Sequence, residues 1–284
     1  MIDKSVQRFV KCTKFINGLA KVRLNDKYNF VNENGELLSE QWFDWCDNFF
    51  YDFSRVILNK KWNFINRSGN LISKQWFDYC GFFKKGYVRV YLNNKWNFIN
   101  VNKNAELISD QWFDNCYVFR EGFARVELDG KKNFINESGE LLSKQLFDSC
   151  FDFHEGFAAV ELNNKWNFID KNGKFLSEQW FVRCEHFYEG FAKIKLNNKW
   201  NFINKDGKLL SEQWFDDCYS FNEGFARVKL NGKWSLINYN GKIGVCMRDM
   251  VMAWIAKFFT SRSMIILLII VNFLFLYLRK NYEL

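Results

Sequence analysis

One pattern of about 34 residues returns seven times between Ser5 and Gly244, and nothing else in the chain constrains its fold as tightly. Lysine-tryptophan pairs mark the beat at Lys61-Trp62, Lys95-Trp96, Lys165-Trp166, Lys199-Trp200 and Lys233-Trp234, with Tyr28 and Lys132 holding the tryptophan place in the other two copies. Cysteines keep the same phase at Cys12, Cys46, Cys80, Cys116, Cys150, Cys184 and Cys218. Only two extra residues within Val101 to Ala105 break step. The units run Ser5–Leu38, Ser39–Ile72, Ser73–Ile108, Ser109–Leu142, Ser143–Leu176, Ser177–Leu210 and Ser211–Gly244. Such a period implies a quasi-one-dimensional array in which each unit packs mainly on its neighbours.

Within a unit the pattern reads as β-structure. Phe191 to Leu196 alternates, with Ala192, Ile194 and Leu196 on one face and lysines on the other, which predicts a half-buried strand. Asn197-Asn198 then separates it from Lys199–Ile203, and Asp129-Gly130 and Asn231-Gly232 fill that place elsewhere. Two residues that tolerate positive φ between apolar runs predict a type I′ hairpin. A second turn ends in glycine, as in Asn204 to Gly207. A lone hairpin cannot bury its Trp and Phe side chains, so the units should stand together. The fold class expected is an all-β array: an open, twisted stack of β-hairpin units, with seven-bladed propeller-like closure as the alternative. The open form is preferred because 34 residues are few for a four-stranded blade, which takes about 40–45.

The cysteines recur at one phase without a cysteine neighbour in the unit, so Cys46, Cys80, Cys116, Cys150, Cys184 and Cys218 read as reduced, buried, small apolar side chains, part of a repeat core with Trp62, Trp96, Trp166, Trp200 and Trp234. A second tryptophan ladder, Trp42, Trp76, Trp112, Trp180 and Trp214, directly precedes a phenylalanine. Adjacent residues of an extended segment point in opposite directions. Both aromatics are expected inside, but if one is partly exposed the ladder is a possible binding surface for sugars or peptide side chains.

No feature points to chemistry. His154 and His186 lie at different phases, and neither C-x-x-C nor H-x-x-x-H spacing occurs, so no metal is expected. No phosphate-binding glycine loop or nucleophile elbow is present, and no cofactor is implied. Asp44, Asp78, Asp114, Asp148 and Asp216 recur, as do Glu121, Glu155, Glu189 and Glu223. An active site is normally single, so carboxylates present in nearly every unit read as hydrogen-bond acceptors at turns and strand ends. Of the net charge of +8, +3 lies in the tail, and the +5 left on the repeats is too mild for a nucleic-acid partner.

The unit resembles the WG repeat family, whose pattern runs roughly F-x-E-G-L-A-x-V, G-K-W-G-Y-I-D, x-x-G and F-D-x-A. The residues that carry the likeness are Phe221, Glu223, Gly224, Phe225, Ala226, Val228, Gly232, Lys233, Trp234, Ile237 and Gly241, with Phe215, Asp216 and Cys218 for the last part. The glycine after tryptophan is replaced by Asn63, Asn97, Asn167, Asn201 or Ser235. Asparagine also tolerates positive φ, so a bulge or left-handed residue is expected there. Serine stands where the family often has proline, at Ser39 to Ser211 in each unit, and cysteine takes an alanine place. The resemblance implies a β-rich, non-enzymatic interaction module and leaves the partner, another protein or a glycan, open.

After Gly244 the composition changes. Residues 245–260 place Met247, Met250, Val251, Trp254, Ile255 and Phe258 at helical spacing, as in an amphipathic juxtamembrane segment. Residues 261–284 contain the apolar run Met264 to Leu278, including Met264, Ile265, Leu267, Ile269, Phe273, Leu276 and Tyr277. Its 15 residues make about 22 Å of helix, and Phe258 to Ser263 extend it toward a bilayer's width. A single-pass membrane helix is therefore expected, and a cap on the repeat stack is the alternative. Met1 to Val10 is polar and lacks a secretory hydrophobic run, which favours repeats facing the cytoplasm.

Overall fold

A computed structural model describes residues 9–50, 52–84, 86–101 and 106–244. The amphipathic segment and the membrane run lie outside the described residues, among which no helix is long and apolar enough to cross a membrane. The described chain is all-β: seven antiparallel sheets, six of three strands and one of four. Its described residues form two compact units, divided between Asp152 and Phe153.

The second repeat shows how sequence makes the sheet. Strand Trp45–Cys46 pairs with Phe53–Leu58, which pairs with Lys61–Asn66. The hairpin turns on Asn59 and Lys60, both at positive φ (50° and 62°). Two consecutive left-handed residues are what a type I′ turn requires. The same pair recurs at Asn93 and Asn94, at Asn163 and Asn164, and with glycine second at Asp129-Gly130 and Asn231-Gly232. Another tight link precedes the hairpins of the sixth and seventh repeats, where Glu189-Gly190 and Glu223-Gly224 again take positive φ.

The asparagine after tryptophan is not left-handed as expected. Asn63, Asn97, Asn167 and Asn201 lie inside strands and are fully buried. A buried amide needs partners. Asn63 Nδ2 donates to the Ser73 and Gln75 carbonyls (2.9 and 3.3 Å), and its Oδ1 accepts from the Phe64 N–H (2.7 Å). The side chain thus fastens the incoming segment of the next repeat. The serine there uses its Oγ to accept from the Gln75 N–H (3.1 Å), which shapes the bend that a proline would otherwise set.

No repeat owns its core. In residues 1–152, Phe30 of the first repeat packs with Phe43, Cys46, Val56 and Ile65 of the second and with Trp76 of the third. In residues 153–284, Phe202 of the sixth repeat packs with Phe215, Cys218, Val228 and Ile237 of the seventh. Each buried phenylalanine contributes roughly 1.5–3 kcal/mol only when the neighbour is present to cover it. Of the tryptophans expected in this core, Trp62, Trp96, Trp166 and Trp200 are half-buried and pack against its edge, while Trp234 is 47% exposed. The fully buried aromatic is the phenylalanine two residues on, such as Phe64 or Phe202. Tryptophan shares its strand face with that phenylalanine but lies toward the turn, at the sheet's margin.

Candidate functional site

The junctions between repeats decide which residues are occupied by architecture. The backbone of one repeat's tryptophan position bridges the phenylalanine of the next: the Trp62 N–H donates to Phe77 O (2.8 Å) and the Phe77 N–H to Trp62 O (2.9 Å). A cation in the middle strand reaches the next repeat's cysteine carbonyl: Lys21 to Cys46, Arg55 to Cys80, Arg89 to Cys116 (2.7 Å), Arg125 to Cys150 and Lys193 to Cys218. Each recurring aspartate holds the preceding repeat's lysine and its own hairpin turn. Asp44 pairs with Lys27 and accepts from the Asn59 N–H, and Asp78 and Asp216 repeat this with Lys61 and Lys199. The lysine first, then the turn amide, hold these carboxyls below the usual aspartate range. Two of the glutamates cap the following repeat: Glu155 accepts from the N–H groups of Glu189 (2.8 Å) and Gly190 (2.9 Å), and Glu189 from those of Glu223 (3.0 Å) and Gly224 (2.9 Å). The acceptor role read from the sequence is correct, but it acts between units as well as at turns.

Six of the repeat cysteines are buried, Cys12 is exposed, and none of the described cysteines is in a disulfide. Burial pushes the Cys46, Cys150 and Cys218 thiols up to about 12, so they are poor nucleophiles.

What remains after the junctions is a varied face. Four residues follow each cysteine, and the third is phenylalanine throughout: Phe49, Phe83, Phe119, Phe153, Phe187 and Phe221. The other three differ from copy to copy, from Asp47-Asn48 to Gly81-Phe82, Tyr117-Val118, Phe151-Asp152, Glu185-His186 and Tyr219-Ser220. Constant positions carry packing and varied ones are free to carry recognition. Within residues 1–152 this face holds an aromatic groove of about 340 Å³ between the second and third repeats. Phe50 (56% exposed) and Phe82 (74% exposed) form its rim. Arg55, only 7% exposed, is its floor: it is held by Asp47 (2.7 Å) and lies 3.9 Å from the Phe82 ring centre. Phe53 and Phe83 stack at 5.5 Å behind it. The groove offers apolar area, a flat guanidinium and no nucleophile. Its signal was present in the sequence as the phenylalanine pairs Phe49-Phe50 and Phe82-Phe83, which no other copy has at those positions.

In residues 153–284 the histidines meet, contrary to the reading from their phase. His154 and His186 rings lie 5.9 Å apart, with Tyr188 5.0 Å from His154. They are 32 residues apart, two short of the repeat, and a two-residue step returns to the same strand face. Among the described residues no three His, Cys, Asp or Glu groups gather as a metal site.

The five-membered ladder Trp42, Trp76, Trp112, Trp180 and Trp214 is half-buried, while the adjacent Phe43, Phe77, Phe113, Phe181 and Phe215 are buried. Trp214 lines a groove of about 290 Å³ with Gln179, Asn197 and Lys199.

This architecture defines the chain as an all-β repeat protein whose units share cores and whose varied residues lie on one recurrent stretch. The chain belongs to the family of proteins with the WG containing repeat, whose pattern matches residues 8–28, 30–62, 64–96, 101–131, 134–166, 168–200 and 202–234. No curated protein matches it. Among solved structures, Hsv2p of Kluyveromyces lactis is 7% identical with a TM-score of 0.32, covering 81% of this chain and 92% of that one. A eukaryotic initiation factor is 12% identical with a TM-score of 0.35, covering 79% and 72%. PorZ of Porphyromonas gingivalis is 9% identical with a TM-score of 0.29, covering 84% and 38%. At identities and scores this low, no activity or partner is carried from them.

Proposed function

We propose that this is a membrane-anchored, non-enzymatic repeat protein whose varied face binds another protein. The observation that carries the reading is the Phe50–Phe82 groove, where large apolar side chains stay exposed beside a buried, immobilised arginine. Exposed aromatics around a fixed arginine are the composition of binding hot spots. In this reading the partner inserts an aliphatic or aromatic anchor. The repeats form an open, twisted array in preference to a closed propeller, and small-angle scattering of an elongated particle is the expected outcome. The run Met264 to Leu278 supplies a single-pass anchor, with the repeats facing the cytoplasm.

Two measurements on the full chain test this. Alkaline carbonate should leave it in the membrane pellet and release a variant carrying Leu267→Lys and Ile269→Lys; release of both would remove the anchor. Peptides selected from a random library should carry a large apolar anchor and bind Phe82→Ser at least about tenfold more weakly, as loss of a central aromatic contact entails. Unchanged binding would remove the groove from the function, and reproducible turnover of a substrate would remove the non-enzymatic reading.

A glycan-binding reading rests on Trp214, a half-buried ring flanked by the amides of Gln179 and Asn197 and the amine of Lys199. Aromatic faces beside amide donors suit sugars. Tryptophan quenching by oligosaccharides that Trp214→Ala abolishes would favour it over the protein partner.

A further inference from the structure

The internal junctions display what fits the outer side of a repeat: the leading side of another. Among the described residues the last repeat carries that outer side unused. Trp234 has no backbone bridge among the described residues, and its ring is 47% exposed where its counterparts are half-buried. Glu223 is exposed and caps no amide pair among the described residues, although Glu189 one repeat earlier caps two N–H groups. Arg227 is exposed, lies 4.1 Å from the Tyr219 ring centre and reaches no cysteine carbonyl among the described residues, although Lys193 one repeat earlier reaches that of Cys218.

The first repeat carries the matching half. Phe9 stands where Phe43 stands one repeat on, and its backbone makes no bridge among the described residues. Cys12 is exposed, and its carbonyl meets no cation among the described residues. Asn17 and Gly18 form the same left-handed turn (φ 50° and 81°) as Glu223 and Gly224 (53° and 88°), with N–H groups that no carboxylate caps among the described residues. Ile16 beside them is 47% exposed. One rung does not match: Val10 occupies the aspartate place opposite Lys233. The chain already tolerates that, because Val182 occupies the same place beside Lys165 inside the array.

We infer that the outer side of the last repeat docks the first repeat of a second copy, head to tail, rebuilding an internal junction between chains. Backbone bridge, glutamate cap and arginine-to-carbonyl contact form together, and Trp234 is covered. A heterologous contact of this kind leaves a free end on each side, so association extends beyond dimers. It also multiplies whatever the varied face binds, by linking several copies.

The test is sedimentation of the full chain in mild detergent over a hundredfold concentration range. The wild type should grow from monomer through dimer to longer species. Trp234→Asp spoils the outer side, and Ile16→Glu places a carboxylate against the incoming Glu223; both positions are exposed, so both variants should keep the wild-type circular dichroism. Each alone should associate at least tenfold more weakly, and an equimolar mixture should form dimers and nothing larger, through the one intact pair of ends. A wild type that stays monomeric throughout overturns the inference, including the case in which both variants lower its melting midpoint because its own first repeat fills the face. Growth that persists unchanged in both variants overturns it too, and assigns association to another part of the chain.

Discussion

Gly69 shows how tightly single residues bind this array. Its φ is +82°, and a Cβ placed there would stand 1.7 Å from the carbonyl oxygen of Leu38 in the preceding repeat. Gly130 shares the left-handed conformation (φ +75°) with open space around it. Gly130→Ala should therefore cost only the conformational penalty, about 1–2 kcal/mol. Gly69→Ala should cost clearly more, because a neighbouring backbone must move as well; equal losses in urea denaturation would show that the repeats do not approach there as described. The thiols give a second residue-scale test. Buried cysteines pushed up to about 12, as Cys46 and Cys150 are, should resist alkylation at neutral pH in the folded protein. Of the described cysteines, mass spectrometry should find Cys12 labelled quickly and the six buried ones only after denaturation. Fast labelling of Cys46 in native protein would contradict the shared core.

At the scale of the element, the aspartate rung explains an anomaly in the sixth repeat. Val182 is 55% exposed where five of the other repeats place aspartate, and Lys165 opposite has no ion-pair partner among the described residues. Val182→Asp should restore both the lysine contact and the cap on the Asn197 turn, raising the melting midpoint by roughly 1–3 °C at low salt. The native aspartates of this rung have folded values below their ordinary one, through lysine first and the turn amide second. The gain should therefore be complete above the ordinary aspartate value of about 4 and fade as pH falls through the folded value. A midpoint difference independent of pH between 2 and 7 would assign the effect to removal of an exposed valine instead. Much of this level was legible in the sequence. Asn197-Asn198 announced the hairpin turn, and the spacing of the cysteines announced a buried small residue. The role of Asn63 was not legible, because its partners, Ser73 and Gln75, are set by the approach of the next repeat and not by local preference. The histidine pair was hidden for a similar reason: phase within one unit says nothing about what neighbours bring together.

At the scale of the whole molecule, stability should follow the number of repeats and junctions, as in other one-dimensional arrays. Deleting residues 177–210 is the strict test, because it removes one period and joins Leu176 to Ser211 in register. The new junction would face Trp166 with Phe215, Lys165 with Asp216 and Glu155 with the Glu223-Gly224 amides. Only the cation rung would stay empty, since Ala159 already replaces the arginine seen at Arg55, Arg89 and Arg125. The shortened chain should fold cooperatively, with a urea m-value smaller by about one-seventh, in proportion to the surface lost. Deleting residues 177–193 removes half a period and joins a turn to the middle of a strand. That breaks the alternation that sends Ile194 inward and Lys195 outward, and should abolish cooperative unfolding. If the two deletions behave alike, the junction contacts are not what specifies the stacking, and the repeat's shared cores would have to tolerate arbitrary register. If only the in-register deletion folds, each repeat needs its neighbour's leading side but no particular neighbour, which is also the condition under which a second copy could supply it.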